Sequence, residues 1–215
     1  MANGIGFDRY RLEPAVLEEV DWIAQLEYEM YSSDAIPKHI LAQWYAKNPS
    51  GFSILKTNDG EKVGHIDILP IHPTILQRFI DGDILERDIR GDDLYSLADK
   101  GLIRSLYVES VAVSLSSGHS KGPAVLYLIC NLSEAIERIC DPGRIDNVYA
   151  IAATTEGSRF LSRLGFEIHK KAESRRDHHN LFIASYPELK KAASNMCQRR
   201  YAPDHKLRGG SLNPQ

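Results

Sequence analysis

Apolar and polar positions follow two rhythms along this chain. A spacing of three to four links Val16, Val20, Ile23, Leu26 and Met30, which predicts a helix over residues 14–30. Pro37 suits the first turn of a second helix. Ile40, Leu41 and Trp44 would lie on one side of it, with Pro49 as its stop. Residues 51–56 and 62–69 read as two strands joined at Asn58-Asp59-Gly60, a hairpin turn. A weaker alternation over residues 7–12 predicts a short strand before the first helix. Residues 103–113 (IRSLYVESVAV) are apolar at both parities, as in a central strand covered on both faces. Helical spacing returns at Val125, Leu128, Ile129, Leu132, Ile136 and Ile139. A second buried strand follows at 148–153, and a short helix at 155–164 with Gly165 as its C-terminal cap. Residues 166–170 and 180–186 predict two last strands. This order predicts an α/β (α+β mixed sheet) fold, mostly antiparallel and flanked by helices.

Residues 70–101 break the rhythm. They carry Asp81, Asp83, Glu86, Asp88, Asp92, Asp93 and Asp99 around two short helical patterns. The segment reads as a helical insertion between strands 3 and 4, a surface flap in the simplest case and a lid or subunit contact otherwise. Length and composition fit a single domain over residues 1–189, since 215 residues with 43% hydrophobic and 26% charged are ordinary for one globular unit. Residues 190–215 form a basic tail, with Lys190, Lys191, Arg199, Arg200, Lys206 and Arg208 against Asp204 alone. Its prolines and glycines suggest a poorly ordered terminus, with polyanion binding as a second use.

With the tail set aside, the body is more acidic than the net charge of −3. An acidic body argues against a nucleic-acid partner. No apolar run reaches the roughly 18 residues of a membrane span, and the first residues lack a signal-peptide pattern. These features point away from a membrane and toward the cytoplasm. The three cysteines show no metal-ligand spacing, and Cys130 and Cys140 fall in a helical pattern, as reduced thiols in or near the core.

The chemistry concentrates at SSGHSKGPAVLYLI, residues 116–129. A strand that enters a glycine loop and then a helix presents unpaired N–H groups and the positive end of the helix dipole, which suits an anion. Neither the phosphate-loop signature nor the dinucleotide fingerprint is present. Taken with VYAIAATTEGSRFLSRLGFEIHKK, residues 148–171, the segment resembles the GCN5-related N-acetyltransferase (GNAT) superfamily. The resemblance rests on His119-Ser120-Lys121-Gly122-Pro123-Ala124 at the strand–helix junction, and on Arg163-Leu164-Gly165-Phe166 about 40 residues later. It implies a GNAT-like fold and a co-substrate, acetyl-CoA or another acyl-CoA, with no metal.

The resemblance further implies that Val111, Ala112 and Val113 pair with the pantetheine arm, and that His119, Ser120, Lys121, Gly122, Pro123 and Ala124 hold the pyrophosphate. Thr154, Thr155 and Ser158 would lie beside the cofactor. His119 stands where glutamine or arginine is usual, and Pro123 removes one amide donor. Leu161 occupies the position where the family often has a tyrosine acid; Tyr107 and Tyr149 are candidates to replace it. Glu109, expected on the same face of the central strand as Tyr107, Val111 and Val113, is a candidate general base, or a carboxylate satisfied at a strand mouth. His65 and Asp67 are further candidates, as are His178 and His179. Tyr28, Glu29, Tyr31 and Asp34 would shape the acceptor site after the first helix. The implied activity is acetyl transfer to an amine of a small molecule or protein. A non-catalytic acyl-CoA-binding or regulatory module stays open as the alternative, a fold relative that binds no CoA as a third reading, and a homodimer as an assembly.

Overall fold

A computed structural model describes residues 9–114 and 121–201. β1 (Tyr10–Pro14) leads through a short 3-10 turn into α1 (Val20–Tyr31), and α2 (Lys38–Lys47) follows. Next come β2 (Phe52–Thr57), β3 (Lys62–Leu69), α3 (Pro73–Asp81) and β4 (Ser105–Val113). The second half runs α4 (Lys121–Cys130), α5 (Leu132–Ile139), β5 (Asn147–Ile151), α6 (Thr155–Arg163), β6 (Glu167–Lys170), β7 (Leu181–Ser185) and α7 (Tyr186–Tyr201). The strands form one sheet in the order β1-β2-β3-β4-β5-β7-β6. The β4–β5 pair is parallel, and the others are antiparallel.

The sheet lies between two helical layers because its strands are apolar on both faces. Ile66, Ile68, Leu106, Val108, Val148 and Phe182 turn toward α4, α5 and α7. Phe52, Ile54, Leu69, Tyr107 and Leu181 turn toward α1, α2 and α3. The 70–101 segment is not the surface flap of the simplest sequence reading. Ile71, Leu76, Phe79, Ile80, Ile89 and Leu94 are buried in the second core. The Trp44 indole donates to Ile89 O (3.1 Å), and Asn48 Nδ2 donates to Tyr95 O (2.9 Å). These contacts fasten the segment to α2, so its acids sit on a fixed frame.

The C-terminal segment also differs from its expected boundary. α7 continues through residue 201, with Leu189 and Ala193 buried. Cys130 and Cys197 form a disulfide that ties α4 to α7, so the reduced-thiol expectation fails for Cys130. Cys140 is free and buried, and burial pushes its thiol up to about 12. Among the described residues no helix is long and apolar enough to cross a membrane.

Two irregularities in the sheet create the site. β4 pairs with β5 only from Ser105 opposite Asn147 to Val108 opposite Ala150. Beyond that point β4 runs on to Val113 while β5 ends, so the two strands part. The β3–β4 register also skips a residue, because Asp67 faces Ser110 while Ile68 faces Val108. Glu109 is the extra residue of this bulge, placed where the strands separate. A one-residue slip exchanges the faces of everything beyond it. Tyr107 and the pair Val111 and Val113 therefore lie on opposite faces of the sheet, which corrects the single face expected from unbroken alternation.

Candidate active site

Two cavities meet at the parting of β4 and β5, and Tyr31, Glu109, Ile151 and Ala153 line both. The first, of about 280 Å³, is mostly apolar. Val108 and Val111 of β4, Val125 and Ile129 of α4, and Phe160 and Leu161 of α6 line it. Its exposed polar edge includes Thr154, which caps α6 by accepting from Gly157 N (3.0 Å). Ser158 Oγ donates to Thr154 O (3.2 Å), so that hydroxyl is committed to the helix start.

The free edge of β4 faces this cleft. Ser114 N donates to Val63 O (2.9 Å) across the β3 side. Strand alternation then turns the N–H groups of Val111 and Val113 to the opposite edge, where β5 is missing. Ala112 points its backbone toward β3 and is not one of the free donors. At the start of α4, Lys121 and Gly122 are exposed, Pro123 is half-buried and Ala124 is buried. A side chain on Gly122 would meet no described atom within 4 Å. His119 and Ser120 of the expected cradle lie outside the described residues.

The second cavity, of about 410 Å³, lies on the α1 side. Glu27 of α1, Glu86 of the insertion, and Tyr107 and Glu109 of β4 form its inner wall. Asp34, Arg87, Arg176, Asp177, His178 and His179 line it further out. Glu27 and Tyr107 are fully buried. Both Glu27 oxygens, Glu86 Oε1, Glu109 Oε2 and the Tyr107 hydroxyl are buried, with Glu27 set against Glu109 and Glu86 against Tyr107.

Crowding of acids in a dry wall governs their charge. Burial pushes Glu27 up to about 8 against the pull of His65, with Asp67 adding to the rise. Burial takes Glu86 to about 7. Glu109 stands well above the usual carboxylate range, first from burial and then from the carboxyls of Glu27, Glu86 and Asp67. Tyr107 is likewise raised by burial and by Glu86. Behind Glu27, His65 Nδ1 lies 3.1 Å from Asp67 Oδ2, and His65 Nε2 lies 3.9 Å from Glu27 Oε1. Burial opposes charge on His65, but the Asp67 carboxylate raises its affinity for a proton overall. Glu27, His65 and Asp67 offer ligand atoms within 4.8 Å of one another, close enough to share a cation. A protonated imidazole between the two carboxyls gives the same compensating charge.

The outer wall is braced by Arg175, a buried residue that the sequence reading did not single out. Its guanidinium donates to Phe79 O (2.7 Å) and Ile80 O (3.2 Å) at the end of α3, and lies 4.9 Å over the Phe79 ring. It also pairs with Asp177 Oδ2 at 2.6 Å. One side chain thus joins the β6–β7 loop to the insertion and fixes the opening between them.

The candidate residues from sequence separate accordingly. Tyr31, Asp34, Tyr107, Glu109, His178 and His179 come together around the second cavity. His65 and Asp67 are fully buried behind its wall and do not line it. Tyr149 lines neither cavity; it packs edge-on to His169 at 6.0 Å on the α1–α3 side of the sheet. Tyr28 and Glu29 are exposed and line neither cavity, because α1 buries Val20, Ile23 and Glu27 and turns these two outward. Glu27 and Glu86 are the functional candidates that sequence reasoning missed. Glu27 falls seven residues after Val20 and four after Ile23, on the buried stripe of α1, and that spacing was its signal.

A bulged central strand, a parallel neighbour that splays from it, and a following helix that lines the gap define the fold of the GCN5-related N-acetyltransferases. Solved structures agree on the fold. GphF GNAT-like decarboxylase, in complex with isobutyryl-CoA, is similar with a TM-score of 0.56 at 14% identity, over 82% of this chain and 99% of that one. Ard1 from Thermoplasma volcanium gives 0.52 at 12% identity, over 82% and 97%. Diaminobutyrate acetyltransferase EctA from Paenibacillus lautus, in complex with L-2,4-diaminobutyric acid and coenzyme A, gives 0.50 at 13%, over 82% and 94%. No protein-family model matches the sequence, and no curated protein matches it.

Proposed function

We propose that this chain is an acyl-CoA-dependent N-acyltransferase that moves an acetyl group from acetyl-CoA to an amine. The observation that carries the reading is the position of Glu109, a bulged carboxyl at the junction of an apolar cleft with a free strand edge and an acid-walled cavity. The acyl arm lies in the cleft, against the free N–H groups of Val111 and Val113. Val111 is the nearer of these to Glu109 along the strand, so its N–H polarises the thioester carbonyl. The acceptor enters from the acid-walled cavity, where an ammonium group suits the crowded carboxyls.

As the ammonium arrives, it displaces to solvent the proton that crowding holds on Glu109. The carboxylate so formed is a stronger base than an ordinary one and takes a proton from the ammonium. The free amine nitrogen attacks the carbonyl carbon, a C–N bond forms and the C–S bond breaks. The second amine proton leaves with the thiolate as CoA thiol. A thiol pKa near ~8.5 makes the thiolate a fair leaving group, so transfer proceeds with Leu161 in place of a tyrosine acid.

Release of free thiol from acetyl-CoA in the presence of a broad amine panel tests this reading. Glu109→Gln is expected to lower kcat by about 10²–10⁴, the usual worth of general acid–base help, with little change in acetyl-CoA affinity. Leu161 is what favours the second reading, a CoA-binding module without turnover. Acetyl-CoA binding with no thiol release across the panel would select that reading and exclude the first.

A further inference from the structure

The acceptor cavity is charged in two zones. Its inner wall carries Glu27, Glu86 and Glu109, three crowded carboxyls with buried oxygens. Its rim carries Arg87 and Arg176, both exposed. Each arginine spends one donor on a backbone carbonyl across the opening: Arg87 Nη2 on Ser33 O (3.1 Å) and Arg176 Nη1 on Asp83 O (2.9 Å). Neither makes an ion pair with a carboxylate among the described residues, and a guanidinium has five N–H groups. Of the two rim acids, Asp177 is matched by Arg175 and Asp34 is left to oppose them; Glu86 attracts Arg87 from the inner wall.

We infer that the acceptor is a zwitterion that enters amine first and leaves an anionic group, carboxylate or phosphate, on Arg87 and Arg176. The inference rests on the reading of this cavity as the acceptor site. A purely cationic polyamine would satisfy the inner wall but bring like charge to the rim. A neutral-tailed amine would leave both guanidinium forks unused. Planar guanidinium groups pair in two-point fashion with carboxylate and with phosphate alike. The cavity, at about 410 Å³, has room for a small molecule of this kind rather than a folded partner. Arg175 ties the loop that carries Arg176 to the end of α3 in the insertion, the segment that also carries Arg87, so the two cations stand on joined backbone segments.

Calorimetric titration of the full chain without acyl-CoA tests this directly, because it reads acceptor recognition whether or not transfer occurs. The probes are glycine, 4-aminobutyrate and 6-aminohexanoate with the primary amide of each, and 2-aminoethyl phosphate and 3-aminopropyl phosphate with the amino alcohol of each. At least one acidic probe should bind tenfold or more tightly than the matched amide or, for a phosphate probe, than the corresponding amino alcohol. The better of carboxylate and phosphate identifies the anion. The Arg87→Ala/Arg176→Ala double variant should lose that preference, with an unchanged far-ultraviolet spectrum and melting temperature as the control for folding. Equal binding of the members with and without the anionic group in every pair would overturn the inference, as would no binding by any probe, or a preference that survives in the double variant. Thiol release from acetyl-CoA is measured separately. Selective acceptor binding without thiol release would overturn acyl transfer while leaving the zwitterion preference standing.

Discussion

Opening the Cys130–Cys197 disulfide should destabilise the protein by a calculable amount. The bond closes a loop with a sequence separation of 67 residues. Loop-closure entropy for that length corresponds to about 4 kcal/mol at 25 °C. For a chain of this size, each kcal/mol moves the melting temperature by roughly 2–4 °C, so a fall of about 8–16 °C is expected. The folded state changes little, because Tyr186, Leu189 and Ala193 bury α7 independently of the bond. The loss therefore comes mainly from greater freedom of the unfolded chain. Cys140 is a built-in control. Its buried, strongly raised thiol should resist alkylation in the native protein whether or not a reductant is present. The assay is a thermal melt with and without a phosphine reductant, on the natural chain and on Cys130→Ser. The natural chain should fall on reduction to the level of the variant, and the variant should not respond. Mass spectrometry under non-reducing conditions that finds three free thiols would refute the pairing. A melting temperature unmoved by verified reduction would refute the entropic argument.

The acid wall makes stability depend on pH. Raised carboxyl pKa values mean that the folded chain holds protons the unfolded chain has lost, so each such group lowers stability as pH rises from about 4.5 toward its folded value, about 8 for Glu27 and about 7 for Glu86. The slope is ~1.4 kcal/mol per pH unit for each group within its window. His65, raised overall, acts in the same direction above its unfolded value of 6.5. Glu27→Gln should flatten the denaturation midpoint between pH 5 and 8, and an unchanged slope would count against the wall. Arg175→Ala should cost about 3–5 kcal/mol in urea denaturation, as expected when one partner of a buried pair is removed; a cost under ~1 kcal/mol would mean that the brace is dispensable. Gly64→Ala brings a side-chain carbon to within 2.6 Å of Ala112 O. It should lose about 1–3 kcal/mol by overpacking and weaken CoA retention by displacing β4, measured by melts with and without CoA.

The fold was legible in the sequence because its strands and helices obey local rules. The hairpin turn at Asn58-Asp59-Gly60, the proline before α2 and the glycine after α6 mark boundaries with side chains and φ preferences alone. Gly60 and Gly165 do adopt left-handed φ values, 91° and 85°. The insertion was harder. Its acids at every few positions suggested solvent, yet apolar residues of the same segment, Phe79, Ile80, Ile89 and Leu94 among them, pack in the core with α2 and the sheet. Charge density at the surface of a segment says little about what its alternate positions bury. The disulfide was out of reach for a related reason. Its partners lie 67 positions apart, and only the docking of α7 on α4 brings their Cα atoms to 5.9 Å.

The site was half legible, and the bulge explains which half. Glu109 could be chosen as an acid in an apolar strand without knowing the register. Its neighbours could not be assigned to faces, because the skipped pairing between Asp67 and Ile68 leaves no mark in the β4 sequence. With unbroken alternation, Tyr107 and Val111 would line one chamber. With the bulge, Tyr107 faces the acid-walled cavity, while Val111 lines the apolar cleft. The same slip places Glu109 at the edge of both. A regular strand would have to put this carboxyl in one chamber and reach the other around the backbone. An extra residue at the point where β5 leaves gives one carboxyl access to both chambers, as the proposed transfer from an acyl group on one side to an amine on the other requires. Placement by an irregularity of pairing is a property of two strands together, and only the folded sheet reveals it.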